Sequence, residues 1–204
     1  MSKSLLAKIN SVGLSYQQYA NLTKQEVEET SQVSLTDEER KQYEDKKLNL
    51  HRMKRIEKHY VVPDEIKTVI QQIIDIQTWM IISETWCGDS AQNIPYIAKI
   101  TELNPQIILK IILRDANLEI MDLYLTNGTR SIPILVAFDE DGKELFRWGP
   151  RPQKAKNLFS NLKARKIEKS AILEKLHLWY GRNGGSNLEA ELMEVIRHTL
   201  LSDG

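Results

Sequence analysis

The feature that most constrains the fold is an alternation of short apolar runs with helical patterns through the middle of the chain. The runs are typical of buried strands, and they are TWMIIS at 78–83, IILKIIL at 107–113 and IPILVAF at 132–138. Asp141 and Gly142 form a hairpin turn signal, which predicts an antiparallel return strand over 143–148. Helical patterns precede, separate and follow these runs. The order predicts an α/β fold with a central mixed sheet flanked by helices.

Both ends of the chain have helical patterns of their own. Thr36 and Glu39 fit a capping box, in which side chains satisfy the first free N–H groups of a helix. Pro63 is well placed to start the helix that precedes the first strand. Near the end, Ser186 and Glu189 fit a second capping box. We therefore predict a helical N-terminal extension, a central α/β domain and a C-terminal helical extension, over 1–62, 63–164 and 165–204.

Composition excludes several classes of partner. The formal net charge is zero and the pI is near 6.9, so no excess of positive charge points to nucleic acid or to an anionic membrane. The sequence begins Met-Ser-Lys-Ser-Leu-Leu-Ala-Lys, without the apolar run of a signal peptide. No apolar stretch approaches the roughly 18 residues of a membrane-spanning helix. We expect a cytoplasmic protein with no nucleic-acid and no membrane partner.

The chain has one cysteine, Cys87. A single cysteine excludes a disulfide within the chain and a structural zinc site built on cysteines, which needs several. The histidines do not show the paired spacing of metal ligands either, and they are His51, His59, His177 and His198. We predict no metal site, and we expect Cys87 to act alone or with a partner molecule.

Cys87 lies in the stretch ETWCGDS at 84–90, where the first predicted strand passes into a helix. A cysteine at a helix N-terminus contacts free N–H groups and the positive end of the helix dipole, and both favour the thiolate. The carboxylate of Asp89 would raise the thiol pKa if it points inward. The sequence leaves open which influence is larger. Without its neighbours, Cys87 would be taken for a small buried apolar residue.

The residues around Cys87 resemble the thioredoxin superfamily over 63–164. Trp86, Cys87 and Gly88 match the start of that family's Trp-Cys-Gly-Pro-Cys signature. Pro95 stands where thioredoxins have a kinking proline, and RSIP at 130–133 is similar to the family's Arg-Gly-Ile-Pro segment. The resemblance implies a thioredoxin-like fold in which the proline of that segment is cis and lies beside the cysteine. The subgroup most similar is that of bacterial thioredoxin-like proteins with a Trp-Cys-Gly-Asp motif and helical additions.

Three positions depart from the thioredoxin pattern. Ser90 replaces the second cysteine, Asp89 replaces the proline of the motif, and Ile81 occupies the position of the buried acid. In thioredoxins the second cysteine, helped by the buried acid, releases the reduced substrate. A serine hydroxyl cannot form that second disulfide, so a two-cysteine reductase cycle is excluded.

The first functional hypothesis is monothiol thiol–disulfide exchange. Cys87 would be the catalytic nucleophile, and Ser90 would hydrogen-bond its sulfur. An external thiol such as glutathione or another low-molecular-weight thiol would resolve the adduct, and no resident cofactor is expected. The partner would be a protein disulfide or a peptide, paired as an extra strand beside the cis proline. The substrate-binding residues would be Trp86, Gly88, Asp89, Ile132 and Pro133.

Two alternatives remain. In the first, the fold is a redox-inactive binding module whose groove around Trp86, Cys87 and Pro133 binds a peptide or partner. In the second, the chain carries an iron–sulfur cluster, because Cys-Gly-Asp-Ser is similar to the Cys-Gly-Phe-Ser motif of monothiol glutaredoxins. Trp86 and the lack of a basic residue just before the motif argue against the cluster.

Overall fold

The computed structural model describes residues 2–30 and 34–202. Its sheet has the strand order β2-β1-β3-β4, with β1 parallel to β2 and antiparallel to β3, and with β3 antiparallel to β4. The strands are β1 (Gln77–Ser83), β2 (Ile107–Leu113), β3 (Ile134–Phe138) and β4 (Glu144–Trp148). The predicted mixed α/β sheet is confirmed, and each strand lies within about two residues of its predicted apolar run.

Helices surround the sheet and form both ends of the described chain. The N-terminal part contains α1 (Ser2–Val12), α2 (Tyr16–Thr30) and α3 (Asp37–His59). The central part contains α4 (Asp64–Ile70), α5 (Gly88–Thr101), α6 (Leu118–Met121) and α7 (Gln153–Ala164). The C-terminal part contains α8 (Lys169–Asn183) and α9 (Ser186–Ser202). No helix in these described ranges is long and apolar enough to cross a membrane.

The central strand β1 is buried along its whole length, because its two faces pack against two different cores. Successive side chains of a strand point to opposite faces. Trp79 and Ile81 belong to a core shared with α3, α4, α5 and α9. Met80 and Ile82 belong to a second core shared with α1 and α6. This double burial explains the four consecutive apolar residues 79–82 in the middle of the strand, and it places the end of β1 in the interior of the protein.

One predicted helix start is confirmed and the other is wrong. At α3, Thr36 is the N-cap and forms the predicted capping box with Glu39. At α9, the hydroxyl of Ser186 donates instead to the carbonyl of Asn183 at 2.9 Å. Gly184, with φ 61°, ends α8 in the left-handed region and bonds back to Tyr180. The chain then enters α9 after two glycines, so Ser186 is already the first helical residue.

Candidate functional site

The sulfur of Cys87 lies where β1 passes into α5. A turn after the strand, with the Cys87 N–H donating to the Glu84 carbonyl at 3.1 Å, places Cys87 as the N-cap of α5. The Ile132–Pro133 peptide bond is cis, and the Cys87 thiol donates to the Ile132 carbonyl at 3.5 Å. The fold therefore brings the cysteine and the proline segment together, although 45 residues separate Cys87 from Ile132.

A groove of about 290 Å³ opens beside the sulfur. Its apolar side is formed by Trp86, of which 43% is exposed, and by Ile132. Arg114 stacks its guanidinium on the Trp86 ring at 4.8 Å from the centroid. Cys87 lines the groove but is only 7% exposed. Cys87 therefore contributes only a small part of its surface to this groove.

The Asp89 side chain is buried and is bound by one residue between β4 and α7 and by one residue of α8. Arg151 donates to its Oδ2 from Nε at 2.7 Å, and Arg151 Nη2 lies 2.6 Å from the same oxygen. The Tyr180 hydroxyl donates to Oδ1 at 2.8 Å. Asn93 donates to the Asp89 carbonyl at 2.7 Å and to the Tyr180 oxygen at 3.2 Å. Asp89 is thus a buried structural anion close to the thiol.

This arrangement determines in which direction the pKa of the Cys87 thiol is shifted, a question that the sequence left open. Burial raises the pKa of the Cys87 thiol above its ordinary value, and the negative charge of Asp89 raises it further. The hydroxyl of Ser90 and the backbone N–H groups of Ser90 and Asp89 act in the opposite direction, but the net direction is upward. Ser90 Oγ is itself buried and makes no hydrogen bond of ordinary geometry within the described chain. Cys87 therefore rests as a neutral thiol at neutral pH.

A family model described as thioredoxin matches residues 34–164, more than half of the chain. The chain belongs to the thioredoxin family. The match begins inside the predicted N-terminal extension and ends where the predicted central domain ends. A search of the curated proteins found no significant match.

Two solved structures show the same thioredoxin-family fold over nearly the whole chain. One is a crystal structure of an HIV epitope-scaffold, with 18% identity, a TM-score of 0.60, and coverage of 94% of this chain and 97% of that one. The other is a protein of unknown function from Pseudomonas aeruginosa, with 17% identity, a TM-score of 0.56, and coverage of 96% and 94%. At this identity the likeness concerns the fold alone.

In this thioredoxin-family site, the residues expected from the sequence do not all have the expected position. Trp86, Gly88, Asp89 and Ile132 line the groove. Pro133 is buried, and the groove is lined by its neighbour Ile132 instead. The roles predicted for these residues in binding and catalysis remain predictions.

The sequence reasoning missed the polar residues that support the motif from the N-terminal helices. The Tyr19 hydroxyl donates to the Glu84 carbonyl at 2.9 Å. Thr85 donates from Oγ1 to Glu26 at 2.6 Å, and Lys46 pairs with the same carboxylate at 2.8 Å. These bonds fix the turn that precedes Cys87. The only signal in the sequence is a polar or aromatic residue on the apolar face of a helix, which does not identify a partner.

His177 of α8 packs directly on Gly88. A Cβ atom at Gly88 would lie 2.8 Å from His177 Cε1 and 3.0 Å from Nε2, so glycine allows this close approach and a larger residue would displace the imidazole. Burial lowers the pKa of His177 to about 4, with the positive charge of Arg52 as the next cause. The imidazole is therefore neutral over the physiological range, and it lies against the start of α5.

We expect His177 to contribute to acid destabilisation. In the unfolded chain the imidazole binds a proton below its ordinary pKa of 6.5, whereas in the fold it does so only near 4. Unfolding therefore takes up a proton between these values, and the free energy of unfolding falls as the pH falls from 6.5 towards 4. When the free energy of unfolding is measured by urea titration at a series of pH values, it should fall less steeply with falling pH for His177→Gln than for the parent protein in this window. His51→Gln, at an exposed position of α3, is the matched control. The same pH dependence of the free energy of unfolding for the parent and for His177→Gln would contradict the lowered pKa of His177.

Proposed function

We propose that this thioredoxin-family chain is a binding module that takes an extended peptide segment into the groove beside Trp86, Cys87 and the Ile132–Pro133 turn. The observation that carries the proposal is that Cys87 is only 7% exposed in the groove and that its sulfur lies 3.5 Å from the Ile132 carbonyl oxygen, within hydrogen-bond distance for a thiol. A carbonyl oxygen at this distance accepts from a thiol but has nothing to accept from a thiolate, and burial with the charge of Asp89 raises the pKa of Cys87, so both favour the protonated thiol. The sulfur then serves as a buried part of the groove wall rather than as a nucleophile, since the thiolate is the form that attacks disulfides.

Two further features support binding over exchange. Ser90 stands where a resolving cysteine would be needed, and its hydroxyl cannot form a disulfide. Asp89 is fixed by Arg151 and Tyr180, so its charge cannot turn away from the sulfur without breaking a buried ion pair. Ser90 thus leaves a mixed disulfide at Cys87 without a resolving thiol in the chain, and Asp89 favours the neutral form of the Cys87 thiol. Together they support the groove itself as the functional element.

Monothiol exchange is the second candidate, and one observation favours it. The sulfur lies at the N-terminus of α5, where the N–H groups of Asp89 and Ser90 stabilise a thiolate. In that reaction the Cys87 thiolate would attack one sulfur of a substrate disulfide, forming a mixed disulfide and releasing the other half as a thiolate. An external thiolate would then attack the mixed disulfide, regenerate Cys87 and leave as a new disulfide.

The rate of alkylation of Cys87 by iodoacetamide, measured from about pH 6 to about pH 10, separates the two candidates. For the binding module we expect a rate that is still rising above pH 9, because burial and Asp89 raise the pKa of the thiol above its ordinary value. A small free thiol with a pKa of about 8.5 is measured in parallel. A rate that reaches its plateau below neutral pH would overturn the binding proposal in favour of exchange.

A further inference from the structure

We propose that the groove beside Cys87 selects acidic peptides, with a ligand carboxylate bound by Arg114 and Arg130. This inference rests on the proposed function and names the chemistry of its ligand. Arg114, Arg130 and Arg151 all line the groove, together with one acidic residue, Asp89. The chain as a whole has a net charge of zero, so this concentration of arginines is local to the groove.

The acids that neutralise Arg114 and Arg130 lie outside the groove lining. Asp115 accepts from Arg114 Nε at 2.8 Å, and its side chain is about half exposed. Asp122 accepts from Arg130 Nε at 2.7 Å and from Nη2 at 2.9 Å. Neither acid lines the groove. A ligand entering the groove therefore contacts two guanidinium groups whose paired carboxylates do not line the groove.

Both guanidinium groups are held in place before any ligand arrives. Arg114 stacks on Trp86 and donates from Nη1 to the Arg130 carbonyl at 3.2 Å. The pair of Arg130 with Asp122 uses Nε and Nη2, and Nη1 takes no part in it. A guanidinium has five N–H donors in a fixed planar arrangement that matches a carboxylate. Preorganised donors lower the entropic cost of binding, so this geometry favours a planar anion.

The neutral thiol of Cys87 is compatible with an anionic ligand. A thiolate at the foot of the same groove would repel a carboxylate, and the neutral form does not. Asp89 does not compete for the two arginines either, because its carboxylate is bound by Arg151 and Tyr180. The volume of about 290 Å³ suits a short peptide segment with one acidic side chain at its centre.

The test compares three blocked pentapeptides, Val-Thr-X-Val-Thr with X as Glu, Gln or Lys, by fluorescence anisotropy of a labelled N-terminus. We expect the Glu peptide to bind about tenfold more tightly than the Gln peptide, and the Lys peptide to bind most weakly. The preference for Glu should shrink as salt is added. Equal affinities for all three peptides would overturn the acidic selectivity, as would a preference for Lys or the absence of any binding.

Arginine variants test whether Arg114 and Arg130 cause the preference for the Glu peptide. Arg130→Gln and Arg114→Gln should each abolish most of the preference of Glu over Gln. Arg147→Gln is the matched control, because Arg147 also pairs with an acid, Glu144, and also stacks on an aromatic ring, that of Tyr124, but does not line the groove. A preference that survives both groove variants would overturn the inference. Equal affinities, or a preference for Lys, would overturn the acidic selectivity and leave the proposed function standing, because the peptides still bind. The absence of binding by all three peptides would count against both.

Discussion

Asp89→Asn should make Cys87 react faster with iodoacetamide at neutral pH than it does in the parent protein. The carboxylate of Asp89 is one of the two causes that raise the pKa of the thiol, and the amide removes its charge. Arg151 stays close enough to favour an anion at Cys87, so the pKa should fall and the alkylation profile should move to lower pH. The measurement is the alkylation rate against pH for the two proteins. Superimposable profiles would show that burial alone sets the pKa.

The same substitution should destabilise the fold by about 3–5 kcal/mol, because it leaves a buried guanidinium without its anion. The Arg151 side chain is 21% exposed and that of Asp89 only 10%. The measurement is the free energy of unfolding in urea. Asp122→Asn breaks an arginine–aspartate pair that is about half exposed, and it should change stability far less.

Tyr180→Phe distinguishes the effect of lost stability from the effect of lost charge in the Asp89→Asn variant. It removes the hydrogen bond to Asp89 Oδ1 but leaves the carboxylate in place. We expect a loss of stability of about 2 kcal/mol, as for a hydrogen bond to a charged group, with no acceleration of alkylation. If Tyr180→Phe speeds alkylation as much as Asp89→Asn does, then loosening of the fold, rather than charge, is the cause.

Gly149→Ala should be the more damaging of two glycine substitutions at positive φ. Gly149 has φ +126°, and a Cβ there would lie 2.3 Å from the Pro133 carbonyl oxygen. Conformational strain of about 1–2 kcal/mol adds to overpacking of about 1–3 kcal/mol. Because the clash involves backbone, the alanine should displace the Ile132–Pro133 segment and disturb the groove wall. The measurement is unfolding in urea, with peptide binding as the second readout.

Gly128→Ala is the control for backbone strain alone. Gly128 has φ +74°, and a Cβ there would meet no atom within 4 Å. We expect Gly128→Ala to lower the free energy of unfolding only by the conformational strain, about 1–2 kcal/mol, and to leave the groove unchanged. If Gly149→Ala and Gly128→Ala lower the free energy of unfolding equally, then a small shift relieves the contact with the Pro133 oxygen. That contact would then not position the proline segment.

The fold was largely predictable because its signals are local. The strand runs, the hairpin turn at Asp141–Gly142 and the capping box at Thr36 each depend on residues within a few positions of one another. The predicted box at Ser186 was wrong because two preceding glycines had already turned the chain into the helix. Local patterns thus identified most of the elements that form, and the capping prediction failed where two helices meet at a short connection.

The candidate site was predictable only for the residues within its motifs. Asp89 was identified by its position, but its partners Arg151 and Tyr180 lie 62 and 91 residues further on. The packing of His177 on Gly88 likewise joins residues with no shared pattern. Such pairs depend on how the last helices dock on the start of α5. The direction of the thiol pKa depends on the same packing, so it could not be read from the sequence.

Because the partners of Asp89 lie far along the chain, its hydrogen bonding is completed well after Asp89 itself has been synthesised. A ribosome adds about 5–20 residues each second, so Tyr180 is made roughly 5 to 20 s after Asp89. Until α8 has left the ribosome, the nascent chain has the motif helix but lacks the tyrosine that completes the hydrogen bonding of this carboxylate. The hydrogen bonding that fixes Asp89 beside Cys87 is therefore completed only after α8 has been made, several seconds after the motif itself.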